Sequence, residues 1–157
     1  MASPVTDAAS ARGPWTRDGY TIDTEPARLD RDALYEWLSR SYWAGGIPRE
    51  TFERSLEHAL NFGIYAPDGS QAGFARVVTD RATVAYLGDV FVFEAHRGRG
   101  LSKWLMACIT SYPDLQGLRR WILLTRDAHG LYAQHGFTPL ANPARWMERH
   151  DPEVYRR

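Results

Sequence analysis

The sequence predicts a mixed α/β domain, a mostly antiparallel sheet of six to seven strands with a central βαβ unit, flanked by about four helices. Three observations carry that expectation. A long apolar run, residues 83–93, is followed by a helix-periodic segment, residues 101–112, and by a second strand-like run, residues 120–125, which is the order of a parallel βαβ unit with its crossover helix. Ahead of it, two strand-like segments, 61–66 and 71–79, flank Pro67-Asp68-Gly69-Ser70, the composition of a tight hairpin turn. Ahead of the hairpin, two segments carry apolar residues at helical spacing.

Taken in order, residues 1–14 are small, polar and aperiodic and read as a disordered tail, leaving 15–157 as a single domain of ordinary size. Tyr20 and Ile22 alternate with polar residues across 19–24, a first strand. Asp30 can cap a helix whose apolar face is Leu34, Trp37, Leu38 and Ser41, broken at the paired glycines Gly45 and Gly46. Pro48 suits the start of a second helix with Phe52, Leu56, Ala59 and Leu60 inward. The run 83–93 is nearly continuous in apolar character, so it is expected to be covered on both faces and central to the sheet, and Gly88 inside it marks a bulge or a close approach. Leu101, Leu105, Cys108 and Ile109 form one face of the crossover helix, which Pro113 and Gly117 stop. A short helix, 128–135, closes at Gly136, and residues 137–140 and 145–149 can supply two last strands.

Composition limits the function. Lysine plus arginine number 19 and aspartate plus glutamate 19, so no net field draws the chain to nucleic acid or to an anionic membrane. A single cysteine excludes an internal disulfide, and Cys108 reads as a buried apolar filler rather than a reactive thiol. No apolar run reaches a membrane span, and the first fourteen residues lack the apolar core of a signal peptide, so the cytoplasm is the expected compartment. His58, His96, His129 and His135 show no zinc-like spacing, and no metal is expected.

Between the two parallel strands stands Arg97-Gly98-Arg99-Gly100-Leu101-Ser102, a strand-to-helix turn with two glycines. Such a turn brings backbone close to a ligand and aims the unpaired amides of a helix N-terminus at an anion, with pyrophosphate as a good fit; taken alone, it is also a common surface loop. About thirty residues on come Leu131-Tyr132 and Gly136-Phe137 around the short helix. The pair of motifs, in this order and with these elements between, resembles the GNAT (Gcn5-related) N-acetyltransferases, and the resemblance runs with lower specificity from the first strand to Phe137.

The resemblance implies an N-acetyltransferase that uses acetyl-coenzyme A as cosubstrate and a small-molecule or peptide amine as acceptor, with no nucleic-acid or membrane partner. It places the pyrophosphate on the amides of Arg97, Gly98, Arg99, Gly100, Leu101 and Ser102. The pantetheine arm falls along Phe91 and Val92, where the strands are expected to splay after Val92. Ser102 stands where Gly or Ala is usual and Thr125 where Asn often contacts pantetheine; both keep a hydroxyl. Tyr132 is the candidate acid, because a phenol of pKa about 10 stays protonated near neutral pH and can protonate a departing thiolate. Its alternative is a core tyrosine bonded to backbone. Asp89 is the best-placed carboxylate for a general base, ahead of Glu94 and Asp127, and equally suited to holding a loop. Tyr42 and Trp43 are candidates for the acceptor wall, or else simply cover the core. An acyl-coenzyme A sensor with little catalysis, an RGG-type nucleic-acid patch at the glycine turn, and a homodimer are the remaining readings; zero net charge disfavours the patch.

Overall fold

The computed structural model describes residues 10–157. One six-stranded sheet runs in chain order: β1 (Trp15–Arg17), β2 (Tyr20–Asp23), β3 (Leu60–Tyr65), β4 (Gln71–Thr79), β5 (Val84–Val92) and β6 (Arg120–Leu123). Every neighbouring pair is antiparallel except β5 and β6, which are parallel and joined by helix α3 (Leu101–Thr110). Helices α1 (Arg31–Leu38) and α2 (Arg49–Glu57) lie between β2 and β3, and a short α4 (His129–Ala133) follows β6.

Alternation along the strands divides the core into two layers. Ile22, Phe62, Ile64, Ala75, Val77, Ala85, Leu87 and Val92 meet the apolar stripe of α3, Leu101, Leu105, Met106, Cys108 and Ile109, with Tyr132 of α4 on the same side. Phe74 and Phe91 point to the opposite face, where Leu34 and Leu38 of α1 and Phe52 and Leu56 of α2 cover them. Asp30 caps α1 by accepting from the Ala33 amide at 3.0 Å, and the Nδ2 of Asn61 donates to the Leu56 carbonyl at 2.9 Å, closing α2. Both helices therefore end earlier than periodicity suggests: Ser41 lies beyond α1, and Leu60 opens β3 instead of extending α2.

Four further expectations change. Residues 10–14 are not a loose tail, since Arg12 pairs with Asp114 at 2.7 Å and the following Trp15 stacks on Phe62 with centroids 6.4 Å apart; residues 1–9 of the expected tail lie outside the described residues. Strand β5 is second from the sheet edge rather than central, and its first half is covered on one face only, with Val84 exposed and Tyr86 half-buried. The bulge falls at Asp89, one residue after Gly88: Phe74 faces Phe91 but Arg76 faces Gly88, and Asp89 takes a left-handed φ of 53°. Neither 137–140 nor 145–149 forms a strand: Pro139 lacks the amide a ladder needs in the first, and the 3₁₀ turn Pro143–Arg145 takes in the start of the second. No helix among the described residues is long and apolar enough to cross a membrane.

Burial pushes the Tyr65 phenol and the Cys108 thiol each up to about 12. A raised folded pKa contributes stability below the unfolded value that is lost as pH climbs toward the folded one. The melting temperature is therefore expected to fall progressively from about pH 9, near the unfolded thiol pKa, to about pH 12. Circular dichroism across that range checks it, and the double variant Tyr65→Phe/Cys108→Ala should flatten the limb. Cys108, protonated and enclosed at neutral pH, is packing material and not a nucleophile.

Candidate active site

The parallel ladder between β5 and β6 holds from Val84 opposite Arg120 to Leu87 opposite Leu123 and then stops. The strands thus part before the bulge, five residues earlier than the expected splay after Val92. On its other side β5 stays paired with β4: the Phe93 amide donates to the Ala72 carbonyl at 2.9 Å, so Phe91, two residues back, spends its peptide groups on Phe74. Those of Val92 face the opening instead. Of the two residues expected to present backbone to a pantetheine arm, Val92 is positioned to do so, while Phe91 contributes its ring, stacked on Trp37 at 3.9 Å.

The glycine turn lies at the end of β5. Gly98 (φ 81°) and Gly100 (φ 73°) both adopt the left-handed region, and Gly100 is the N-cap of α3. No heavy atom lies within 4 Å of where a Cβ would stand on either glycine, so conformation and open space, not crowding, call for glycine here. The amides of residues 98–103 donate to no group among the described residues, and the Trp104 amide is the first of α3 to find a helical partner, the Gly100 carbonyl at 3.1 Å. These six amides, at a left-handed glycine turn and the first turn of a helix, form an anion cradle of a kind that suits a pyrophosphate. Two side chains pin it in place: the Nε of Arg97 donates to the Val92 carbonyl at 3.1 Å, and the Tyr20 hydroxyl meets Nδ1 of His96 at 2.9 Å. Arg99 is exposed, its guanidinium 5.8 Å from the Tyr20 ring centre, and Leu101 and Ser102 form the first turn of α3, Leu101 buried and Ser102 half-exposed.

Across the opening, at the end of β6, Thr125 accepts from the Ala128 amide at 3.0 Å and so shapes the entry to α4; its hydroxyl proton is left to donate. Tyr132, on α4, has its ring buried edge-to-face against Phe137 at 6.0 Å. Its hydroxyl makes no hydrogen bond among the described residues and is not sealed from solvent, which departs from the core tyrosine bonded to backbone. Burial, with smaller contributions from Tyr42 and the Asp127 carboxylate, raises its pKa. The phenol therefore stays protonated well past neutral pH.

Asp89 occupies the bulge. Its Oδ1 accepts from Nε1 of Trp43 and its Oδ2 from Nε of Arg76, both at 2.7 Å, with the carboxylate largely buried. A general base was one expectation for this residue; with both oxygens engaged, the geometry matches the alternative role, a carboxylate that holds a loop. The loop is the turn after α1. Trp43 packs against Trp37 at 5.5 Å and Tyr42 at 5.0 Å, and the Arg126 guanidinium sits 4.0 Å from the exposed Tyr42 ring. Tyr42 and Trp43 thus reach the same opening as Tyr132 and the cradle.

Three contributors escape sequence reasoning: Trp37, hidden among the core positions of α1; Arg126, on the loop before α4; and Arg76. The last had a usable signal, being the one charged side chain in the apolar stretch 72–78. Among the described residues no group of three His, Cys, Asp or Glu side chains gathers as a metal site would.

Comparison with known proteins bears on the family and the fold. The family model described as "Acetyltransferase (GNAT) family" matches residues 27–137. A Gibberella zeae protein, assigned as an acetyltransferase, is 32% identical over 143 residues, covering 77% of this chain and 80% of its own. A crystal structure from Xanthomonas campestris pv. campestris, assigned as a GNAT-family acetyltransferase, superposes with a TM-score of 0.84 at 50% identity, over 87% of this chain and 96% of that one. Rv2747 from Mycobacterium tuberculosis, solved in complex with CoA and NLQ, shares the fold at a TM-score of 0.58 and 22% identity, over 76% and 72% of the two chains. With a family model spanning well over half its length and a relative above 30% identity over most of it, the chain belongs to the GNAT family of acetyltransferases.

Proposed function

We propose that this protein transfers the acetyl group of acetyl-coenzyme A to an amine by direct attack within a ternary complex. The observation that carries the reading is the convergence, at the gap where β5 and β6 part, of a cradle of unpaired amides on one lip and an unbonded phenol on the other. The amides of residues 98–103 hold the pyrophosphate, the peptide groups of Val92 and the Thr125 hydroxyl steady the pantetheine arm, and Leu101 and Ser102 supply the first turn of α3 beneath the phosphates. Acetyl-coenzyme A supplies an activated thioester when bound.

Tyr132 gives its proton to the departing sulfur, a role suited to a phenol whose burial keeps it protonated. Asp89 acts as a positioning residue, fixing Trp43 against Arg76, and the incoming amine surrenders its proton to solvent. Tyr42 and Trp43, with Arg126 over the Tyr42 ring, form the acceptor wall, whose faces suit a planar or aliphatic body next to the amine. The test is a panel of primary amines with acetyl-coenzyme A, following free thiol. Acceptor-dependent thiol release supports the reading; tight coenzyme A binding with no release from any amine replaces it with an acyl-coenzyme A sensor.

A further inference from the structure

Two neighbouring residues at the opening carry opposite charges that the fold does not use. Arg126 and Asp127 follow Thr125 on the loop between β6 and α4, and both are exposed. Among the described residues neither side chain forms an ion pair or a hydrogen bond, not even with the other. Two other arginines nearby are committed to the protein itself, Arg76 to Asp89 at 2.7 Å and Arg97 to the Val92 carbonyl at 3.1 Å. Since Arg76 already neutralises Asp89, Arg126 is a cation left facing the acceptor wall.

Arg126 is nevertheless held in place. Its guanidinium sits over the Tyr42 ring, 4.0 Å from the centre. A guanidinium held over a ring keeps the N–H donors along its edge for a planar anion, and a carboxylate takes two of them in parallel. Tyr42 in turn meets Trp43 edge-to-face at 5.0 Å, and these are two of the three large aromatic side chains left exposed among the described residues. The reacting centre is close by, because Tyr42 and the Asp127 charge both act on the Tyr132 phenol. A cation with a free edge, exposed rings beside it and an anion next to the acid complement a zwitterion with an organic body.

We infer that the acceptor is a free amino acid, its carboxylate on the edge of Arg126, its ammonium group drawn to Asp127 and its side chain against Tyr42 and Trp43. The inference rests on the acetyl-transfer reading and names its substrate class. The amine, having given one proton to solvent, bonds to the acetyl carbon as the carbon–sulfur bond breaks. The sulfur leaves with the proton of Tyr132, which the phenol regains through solvent as the new amide nitrogen sheds its second proton. The products are an N-acetylated amino acid and free coenzyme A. An acceptor whose carboxylate is amidated or removed leaves the fork of Arg126 unused, so it loses a pair of charge-assisted hydrogen bonds. Because Arg126 is exposed, that advantage is one that salt screens.

Matched acceptors test it: amino acids with small, aliphatic, aromatic and charged side chains, each against its own amide and its decarboxylated amine, with acetyl-coenzyme A and free thiol followed. At least one acid should exceed its amide in kcat/KM by about tenfold or more, the size of a charge-assisted contact, with the difference in KM. Arg126→Gln should bring that ratio to about one, and Arg126→Lys, which keeps the charge without the fork, should retain only part of it. Comparing two acceptors within one variant cancels any general effect of the substitution on the wall or on folding. Calorimetric titration of the coenzyme A-saturated protein with the same acids and amides reads the preference without turnover, and it should show the same loss in Arg126→Gln. Thiol release that ignores the carboxylate, or a preference that Arg126→Gln leaves in place, overturns the inference and leaves acetyl transfer standing. A coenzyme A affinity that falls in Arg126→Gln as far as the amino-acid affinity does assigns Arg126 to the cofactor and overturns it too. No release from any amine overturns the acetyl-transfer reading and the acceptor class together.

Discussion

Replacing Tyr132 by phenylalanine is expected to lower kcat by about 10²- to 10⁴-fold, the usual contribution of a positioned general acid, with coenzyme A affinity unchanged. The substitution removes one oxygen and little else. The ring stays buried against Phe137, and the hydroxyl it deletes makes no bond among the described residues that the fold relies on. A hydroxyl that was merely structural would show its loss in stability; one that acts only on the leaving sulfur shows it in turnover. Calorimetric titration with coenzyme A and a thiol-release assay separate the two, and undiminished turnover removes Tyr132 from the chemistry. Because burial, with smaller contributions from Tyr42 and the Asp127 charge, raises its pKa, the midpoint of any activity loss through Tyr132 ionisation should lie above the ordinary tyrosine pKa of about 10.

Gly100→Val should weaken coenzyme A binding by more than about tenfold, or over 1.4 kcal/mol, whereas Arg99→Ala should cost far less. Gly100 sits at φ 73°, where a β-branched residue is strained and drives the turn toward an ordinary conformation. That rotation swings the amides at the start of α3 away from their common focus. Arg99, by contrast, is exposed and contacts only the Tyr20 ring, so its charge acts on the ligand through water. Titrations of both variants decide the matter. Equal losses would mean that the anion is held by side-chain charge and that the backbone cradle is incidental.

Much of this architecture was legible because its signals are local. The hairpin, the crossover helix and the glycine turn each depend on residues within a few positions of one another, and strand alternation assigns Phe62, Ala75 and Val77 to one layer without knowledge of their partners. The acceptor side was not legible for the opposite reason. Trp43 meets Asp89 across 46 residues and Arg76 meets Asp89 across 13, and neither spacing follows from a helical or strand period. Trp37 satisfies the inward face of α1 so well that its stacking on Phe91 leaves no trace in the pattern. The last two strands were misread because the segments hold apolar residues without strict alternation, Pro139 interrupts the first and the 3₁₀ turn Pro143–Arg145 runs into the second.

The residue at the bulge has the character of an insertion. Before it, Ala85 and Leu87 face α3; after it, Val90 and Val92 do, so the inward parity moves from odd to even across Asp89. Remove Asp89 from the chain and the remaining residues alternate without interruption, each core side chain keeping its layer. A deletion of Asp89 should therefore yield a folded protein with a regular β5, a ladder to β6 that extends past Leu87, and no gap to admit a thioester. Folding and catalysis would come apart at a single codon, with circular dichroism unchanged and thiol release gone.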